Sequence, residues 1–154
     1  MLKIKHREKR LSLRIGLGIL TISEYQDKIV SIQFTKRYYK GRPTILNAAK
    51  KQINEYFSKK RKKFFFPIGY SLTILENRIL HKMQMVGYGK TKSYKEIAEL
   101  VGTSPRVVGN ACKKNPLLLV IPCHRIIGHD GSLGGFSAPG GVKTKLKLLQ
   151  LEGI

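Results

Sequence analysis

The sequence predicts an α/β (α+β) protein of two domains: a small N-terminal sheet-plus-helix domain over residues 1–66 and a mostly helical C-terminal domain over 67–154. Three observations carry this reading. Gly16 to Ile22 and Ile29 to Phe34 are apolar, β-branched runs of strand length. Beyond residue 44 the apolar residues recur at helical spacing. Between the two regions, the basic run Lys59 to Lys63 and the following Phe64 to Pro67 mark the boundary. A chain of 154 residues with 42% apolar composition fills a core, which excludes wholesale disorder and collagen-like repetition.

Charge and targeting narrow the class further. Thirty Lys and Arg against nine Asp and Glu give +21, which calls for a polyanionic partner, nucleic acid first and an anionic membrane surface second. A genome that favours lysine would raise the charge without any partner. Residues 1–66 hold 18 cations and four anions (+14), and residues 67–154 hold 12 and five (+7). No run approaches the about 20 apolar residues needed to cross a bilayer. Arg14 interrupts the N-terminal apolar stretch and no small-residue cleavage site follows it, so a signal peptide is not expected. Two cysteines, Cys112 and Cys123, make neither a disulfide framework nor a structural zinc site. The expectation is a soluble, cytoplasmic protein with reduced thiols and no metal.

Element by element, residues 11–34 read as β structure, a hairpin whose two runs are separated by the polar stretch Ser23 to Lys28. Lys36 to Pro43 (KRYYKGRP) reads as a loop. Leu46, Ala49, Ile53, Tyr56 and Phe57 place an amphipathic helix over 44–59. Leu72, Leu75, Ile79, Leu80 and Met83 form the stripe of a second helix, stopped by Gly87 to Gly89. Ser93 and Glu96 have capping-box spacing and start a helix from Tyr94 to Leu100, which Gly102 ends. Ser104-Pro105 opens the next, with Ser as N-cap and Pro in the first turn. Two short helices about a tight turn in a basic protein suggest a helix-turn-helix. Leu117 to Pro122 is a buried strand or extended segment. Gly128 to Gly141, with six glycines, is a loop, and Val142 to Glu152 is a closing helix with Leu146, Leu149 and Leu151 facing inward.

The chemistry concentrates behind the apolar run. Cys123 is followed by His124 and Arg125, and a nearby His⁺ or Arg⁺ lowers a cysteine pKa from its usual ~8.5 toward the reactive thiolate. Pro122-Cys123-His124-Arg125 after Asn115-Pro116 is similar to the active-site pattern of the O6-alkylguanine-DNA alkyltransferases. The helix-turn-helix, Arg106-Val107-Val108-Gly109 and the terminal Leu151-Glu152-Gly153 occur in that family's order. The resemblance spans nearly the whole chain, with the specific motifs between Ser71 and Gly153.

That resemblance implies a ribonuclease H-like N-terminal domain and a winged-helix-like C-terminal one. It also implies a suicide DNA-repair activity needing no cofactor. The partner would be double-stranded DNA containing O6-alkylguanine, bound by a monomer. The damaged nucleoside is flipped out, because its target atom is inaccessible in the stack, and the alkyl group moves to the protein's own thiol. O4-alkylthymine is a further possible substrate of the family. Cys123 matches the acceptor. His124 matches the base that takes its proton through a water, and Glu152 the carboxylate that orients the histidine. Tyr94 matches the donor to guanine N3, and Arg106 the finger that fills the space of the flipped base. Ser104 and Gly109 lie with Arg106 on the DNA-facing helix, where either close DNA approach or tight helix packing would justify the glycine. Arg125, placed with Arg106, Tyr94, Gly109 and Ser104 among the DNA-binding residues, is otherwise structural or part of the thiolate's electropositive surroundings. Asn115 matches the hinge before the cysteine segment, while Pro122, Phe136 and Ser137 match the substrate pocket and the loop closing over it.

There are departures. Phe136 replaces the family's usual tyrosine, Ser137-Ala138-Pro139-Gly140-Gly141 replaces a shorter Ser-Gly-Gly, and Ile126 replaces valine. Cys112 is expected to be buried and inert. Three rival readings predict different behaviour. A lesion-binding relative without chemistry would lack the acceptor cysteine. A helix-turn-helix regulator would bind a specific sequence, and a Cys-His hydrolase would turn over.

Overall fold

The computed structural model describes residues 8–41 and 45–154; Arg42 and Pro43 of the expected loop and Thr44, the expected first residue of the helix, lie outside the described residues. The chain divides into two compact units, the first ending at Tyr70 and the second running Ser71–Ile154.

The first unit holds β1 (Lys9–Ile15), β2 (Gly18–Tyr25) and β3 (Lys28–Phe34) in an antiparallel meander, followed by α1 (Ile45–Phe57). The expected hairpin is thus the second half of a three-stranded sheet. β1 alternates, with Leu11 and Leu13 toward the core and Arg10, Ser12 and Arg14 on the opposite face. The expected polar stretch shrinks to a two-residue turn. Ser23 and Glu24 are buried within β2, and only Gln26 and Asp27, with φ of 49° and 61°, leave the strands. Positive φ at both positions matches the right-handed twist of a two-residue hairpin. Leu11, Leu13, Leu20, Ile22, Ile29 and Ile32 bury one side of the sheet, and Leu46, Ala49, Ile53 and Tyr56 are the buried side of α1.

The second unit begins with α2 (Ile74–Gln84), which the Thr73–Glu76 capping box starts. Ile79, Leu80 and Met83 are its buried face, whereas Leu75, expected on the same stripe, is 38% exposed. The anticipated caps of the next pair are all present. Ser93 Oγ accepts from Glu96 N at 2.9 Å to start α3 (Tyr94–Val101), and Gly102 closes that helix with φ 81°. Ser104 caps α4 (Pro105–Lys113) by accepting from Val107 N. Both helices bury one face, Ile97, Ala98 and Val101 on α3 and Val108 and Ala111 on α4. The exposed N-terminus of α4 follows from that packing.

Leu117 to Pro122 is neither strand nor extended. Ile121 N donates to Leu117 O at 2.9 Å, and Leu119 takes a φ of 73°, so the run folds back on itself. A single 3₁₀ turn, Cys123–Arg125, comes next. Two short strands absent from the sequence reading flank the site in the chain: β4 (Lys92–Ser93), before α3, and β5 (Ile126–Ile127), directly after the 3₁₀ turn, pair in parallel, Lys92 beside Ile126. The closing helix α5 (Val142–Leu151) buries Thr144, Lys145, Leu148 and Leu149. Leu146, expected inside, is 40% exposed, and Leu151 is half-buried. The buried stripe at i, i+3 and i+4 includes a lysine, which displaces the apparent all-leucine face. Among the described residues, no helix is long and apolar enough to cross a membrane.

Candidate active site

Local chain geometry builds the site. The β4–β5 pairing ties the residue before Tyr94 to the residues just after Arg125, so the start of α3 is held beside the 3₁₀ turn. Cys123 is 5% exposed and His124 1% exposed. Asn115 braces the segment between them and α4. Its Nδ2 donates to Ile121 O at 2.7 Å, its Oδ1 accepts from Leu117 N at 2.9 Å, and its side chain also reaches the Cys123 sulfur. Asn115 therefore acts both on the turn and on the thiol.

Glu152, buried at the end of α5, collects four donors. His124 Nε2 lies 2.6 Å from Oε2, Arg125 Nε and Nη2 donate at 2.8 and 3.1 Å, and Gly89 N donates at 3.1 Å. Arg125 Nη1 is bound to Val86 O at 2.7 Å. Arg125 is 6% exposed, and its guanidinium braces the carboxylate.

Electrostatics follow from burial. Burial pushes the Cys123 thiol up, with Asn115 and Lys145 opposing it, so the resting group is a thiol. Burial outweighs any lowering of the thiol by its cationic neighbours. Burial also pushes His124 below the usual imidazole range, against the upward pull of Glu152. A neutral imidazole whose Nε2–H points at a carboxylate keeps its free lone pair on Nδ1. The Tyr94 hydroxyl is pushed up to about 12, chiefly by burial and then by the two cysteines, so it remains a donor.

Lys145 is the residue that sequence reasoning missed. It is 0% exposed, and its Nζ donates to Ile126 O at 2.5 Å, to Tyr94 Oη at 3.3 Å and to Gly135 O at 3.4 Å. Burial lowers its pKa from the ordinary lysine value. One lysine thus joins β5, the tyrosine and the glycine loop. The detectable signal was its place at i with Leu148 and Leu149 at i+3 and i+4. Gly134 also touches the tyrosine: with φ 70°, a Cβ there would sit 3.0 Å from the Tyr94 hydroxyl.

Of the remaining expected residues, Pro122 adjoins this network, and no bond to it is seen for the others. Ser104 and Arg106 are exposed at the start of α4. A Cβ on Gly109 would meet nothing within 4 Å, so helix packing does not account for that glycine. Phe136 is half-buried and Ser137 exposed on the loop. Thr144 Oγ1 donates to Pro139 O at 2.5 Å and Gly141 N to Ala138 O at 2.9 Å, so the altered loop is fastened to α5. Pro122 is buried and accepts from Arg125 N at 2.9 Å. Cys112 is half-buried, 3.4 Å from Met83 Sδ, with its thiol pushed to about 12 by burial. Among the described residues, no group of three or more His, Cys, Asp or Glu could hold a metal.

The chain is similar to known proteins in sequence and in fold. A family described as 6-O-methylguanine DNA methyltransferase, DNA binding domain, matches residues 75–154. The methylated-DNA–protein-cysteine methyltransferase of Sulfolobus acidocaldarius is 40% identical over 141 residues, covering 90% of this chain and 88% of that protein. The corresponding protein of Metallosphaera sedula is 41% identical over 140 residues, covering 88% and 87%. The crystal structure of Mycobacterium tuberculosis O6-methylguanine methyltransferase aligns with a TM-score of 0.85 at 28% identity over 94% of this chain and 92% of that one. The M. tuberculosis OGT crystallised in complex with DNA aligns with a TM-score of 0.83 at 29% identity, covering 93% and 91%.

Proposed function

The chain belongs to the methylated-DNA–protein-cysteine methyltransferase family, which repairs O6-methylguanine by moving the methyl group to a protein cysteine, and on that premise we propose that Cys123 is the acceptor and that the 3₁₀ turn, Glu152 and Tyr94 are its machinery. One observation carries the reading: a buried thiol braced by Asn115 and followed directly by a neutral histidine hydrogen-bonded to a buried carboxylate.

The geometry supports the following steps. The Cys123 proton passes through a water to His124 Nδ1, and Glu152 stabilises the imidazolium that forms. The thiolate sulfur bonds to the alkyl carbon as the carbon–O6 bond breaks. The electron pair released into the base is met at N3 by a proton from Tyr94. Lys145 Nζ, 3.3 Å from that oxygen, offsets the phenolate left behind. The thioether has no route back to thiol, so each protein acts once. Holding the cysteine as a thiol until base and substrate are present protects a single-use reagent from stray electrophiles.

DNA reaches the site through the α3–Gly102–α4 pair. Ser104 and Arg106 are exposed at its leading edge, and the open space over half-buried Gly109 suits close approach of a sugar–phosphate backbone. The M. tuberculosis relative binds DNA, which supports duplex DNA as the partner here. The reaction as written needs no cofactor, and every group comes from one chain.

The direct test is intact-mass spectrometry after mixing with a duplex carrying one O6-methylguanine. The expected result is one added methyl per protein, mapped to Cys123, with no further gain at longer times. Tight lesion binding without a mass gain would replace this reading with a non-catalytic sensor. Arg106→Ala should slow transfer from duplex DNA by an order of magnitude or more while leaving transfer from free O6-benzylguanine unchanged, since only the duplex requires flipping. Equal losses on both substrates would remove the finger role.

A further inference from the structure

We propose that the N-terminal unit carries a second nucleic-acid contact, a preformed cationic and aromatic cleft at the edge of its sheet that takes the sugar–phosphate backbone of DNA independently of the helix-turn-helix.

The cleft is a built feature. The segment after β3 turns back along β1, the open edge of the sheet. Ser12 N donates to Tyr39 O at 2.7 Å and Tyr39 N donates to Ser12 Oγ at 2.8 Å, clamping the segment to the strand. Beneath it the hydroxyls of Ser12, Thr21 and Thr35 form a chain at 2.7 and 2.5 Å, and Thr35 Oγ1 donates to Arg37 O at 2.8 Å. Gly41, with φ 62°, lies so close that a Cβ would sit 2.6 Å from Arg10 O.

The lining is chosen for anions. Glu8, Arg10, Arg37, Tyr38, Tyr39 and Lys40 surround a cavity of about 300 Å³, the lower end of the range for small-ligand sites. Arg10 and Arg37 carry their guanidinium carbons 5.3 and 5.1 Å from the Tyr39 ring centre, and Arg14 lies 4.7 Å from that of Tyr38. Stacking on rings fixes the long stems and holds the planar donor forks in place, which suits phosphate oxygens. The single carboxylate, Glu8, is paired with Arg10 at 3.3 Å. The other cations of the cleft have no acidic neighbour in its lining.

None of these groups belongs to the Cys123 network. Like charges gathered on one loop repel, and an anion removes that repulsion. Tyrosines interleaved with cations suit bases or sugars between successive phosphates. The lining lacks the aliphatic anchors that a bilayer contact would use. Such a contact reads no sequence, as a protein that must inspect all DNA requires.

The test is the salt dependence of binding to an undamaged duplex, followed by fluorescence anisotropy, for Arg37→Ala/Lys40→Ala. Both side chains are exposed. Two lost phosphate contacts should reduce the slope of log Kobs against log salt by about 1.8. Thermal midpoint and the rate with free O6-benzylguanine should be unchanged. Lys50→Ala/Lys51→Ala, which removes the same charge from α1, should lower the slope by less than half as much. An unchanged slope, or an equal change in the two double variants, overturns the proposal. So does loss of binding to anionic phospholipid vesicles with an intact duplex slope, which would assign the cleft to a membrane surface. Failure of transfer to the free base in the unsubstituted protein would instead count against the Cys123 reading and leave the cleft untouched.

Discussion

Cys123→Ala should abolish alkyl transfer completely and leave affinity for duplex DNA within about a factor of two. A buried thiol makes no phosphate contact, so its removal should not alter the counterion release that dominates binding. No second nucleophile stands ready to replace it. Cys112 is held as a thiol, pushed to about 12 by burial, with its sulfur 3.4 Å from Met83 Sδ. The Lys145 amine donates to three oxygens on β5, Tyr94 and the glycine loop. Removing one sulfur from a packed site should cost about 1 kcal/mol, too little to unfold a domain of this size. The measurement pairs intact mass with anisotropy on the same O6-methylguanine duplex. A methyl group found on Cys112, or binding weakened tenfold, would show that Cys123 is not the sole acceptor or is part of the DNA surface.

The parts of this site that were legible in sequence are those that local rules decide. Ser93–Glu96, Gly102 and Ser104-Pro105 determine where two helices start and stop, and each feature reports on neighbours within four residues. The run leading to Cys123 was legible as buried but not in shape. Its fold depends on Asn115 reaching Ile121 and on a left-handed Leu119, neither of which periodicity reports. β1 was read as β structure from residue 11 but not as a separate strand, because its alternation is short and its outward residues include two arginines, so it lacks the unbroken apolar run of β2. Lys145 was hidden by the rule that lysine is exposed. Its burial is intelligible only once β5 and the glycine loop bring carbonyls to its ammonium group. Arg125 was left open for the same reason: its partners Val86 and Glu152 are 39 and 27 residues away.

Glu152→Gln should lower both stability and transfer, by separable mechanisms. The carboxylate neutralises an Arg125 whose side chain is 7% exposed and is itself fully enclosed. Breaking such a pair from one side leaves an uncompensated buried charge, a cost of about 3–5 kcal/mol. For a chain of this length that lowers the thermal midpoint by roughly 10 °C or more. Transfer should fall by about 10²- to 10⁴-fold, because the amide neither fixes the Nε2–H tautomer nor stabilises the imidazolium. The pH dependence distinguishes orientation from bracing. In the intact protein burial depresses His124, so stability is full above the ordinary imidazole pKa of about 6.5 and declines as pH falls below it. Glu152 opposes that depression. Without it the folded-state pKa drops further, the acid-side loss of stability deepens, and the acid limb of the transfer rate moves to lower pH. A variant that melts early but keeps the original pH profile and rate on free O6-benzylguanine would confine Glu152 to bracing Arg125. It would leave His124 to act without an orienting partner.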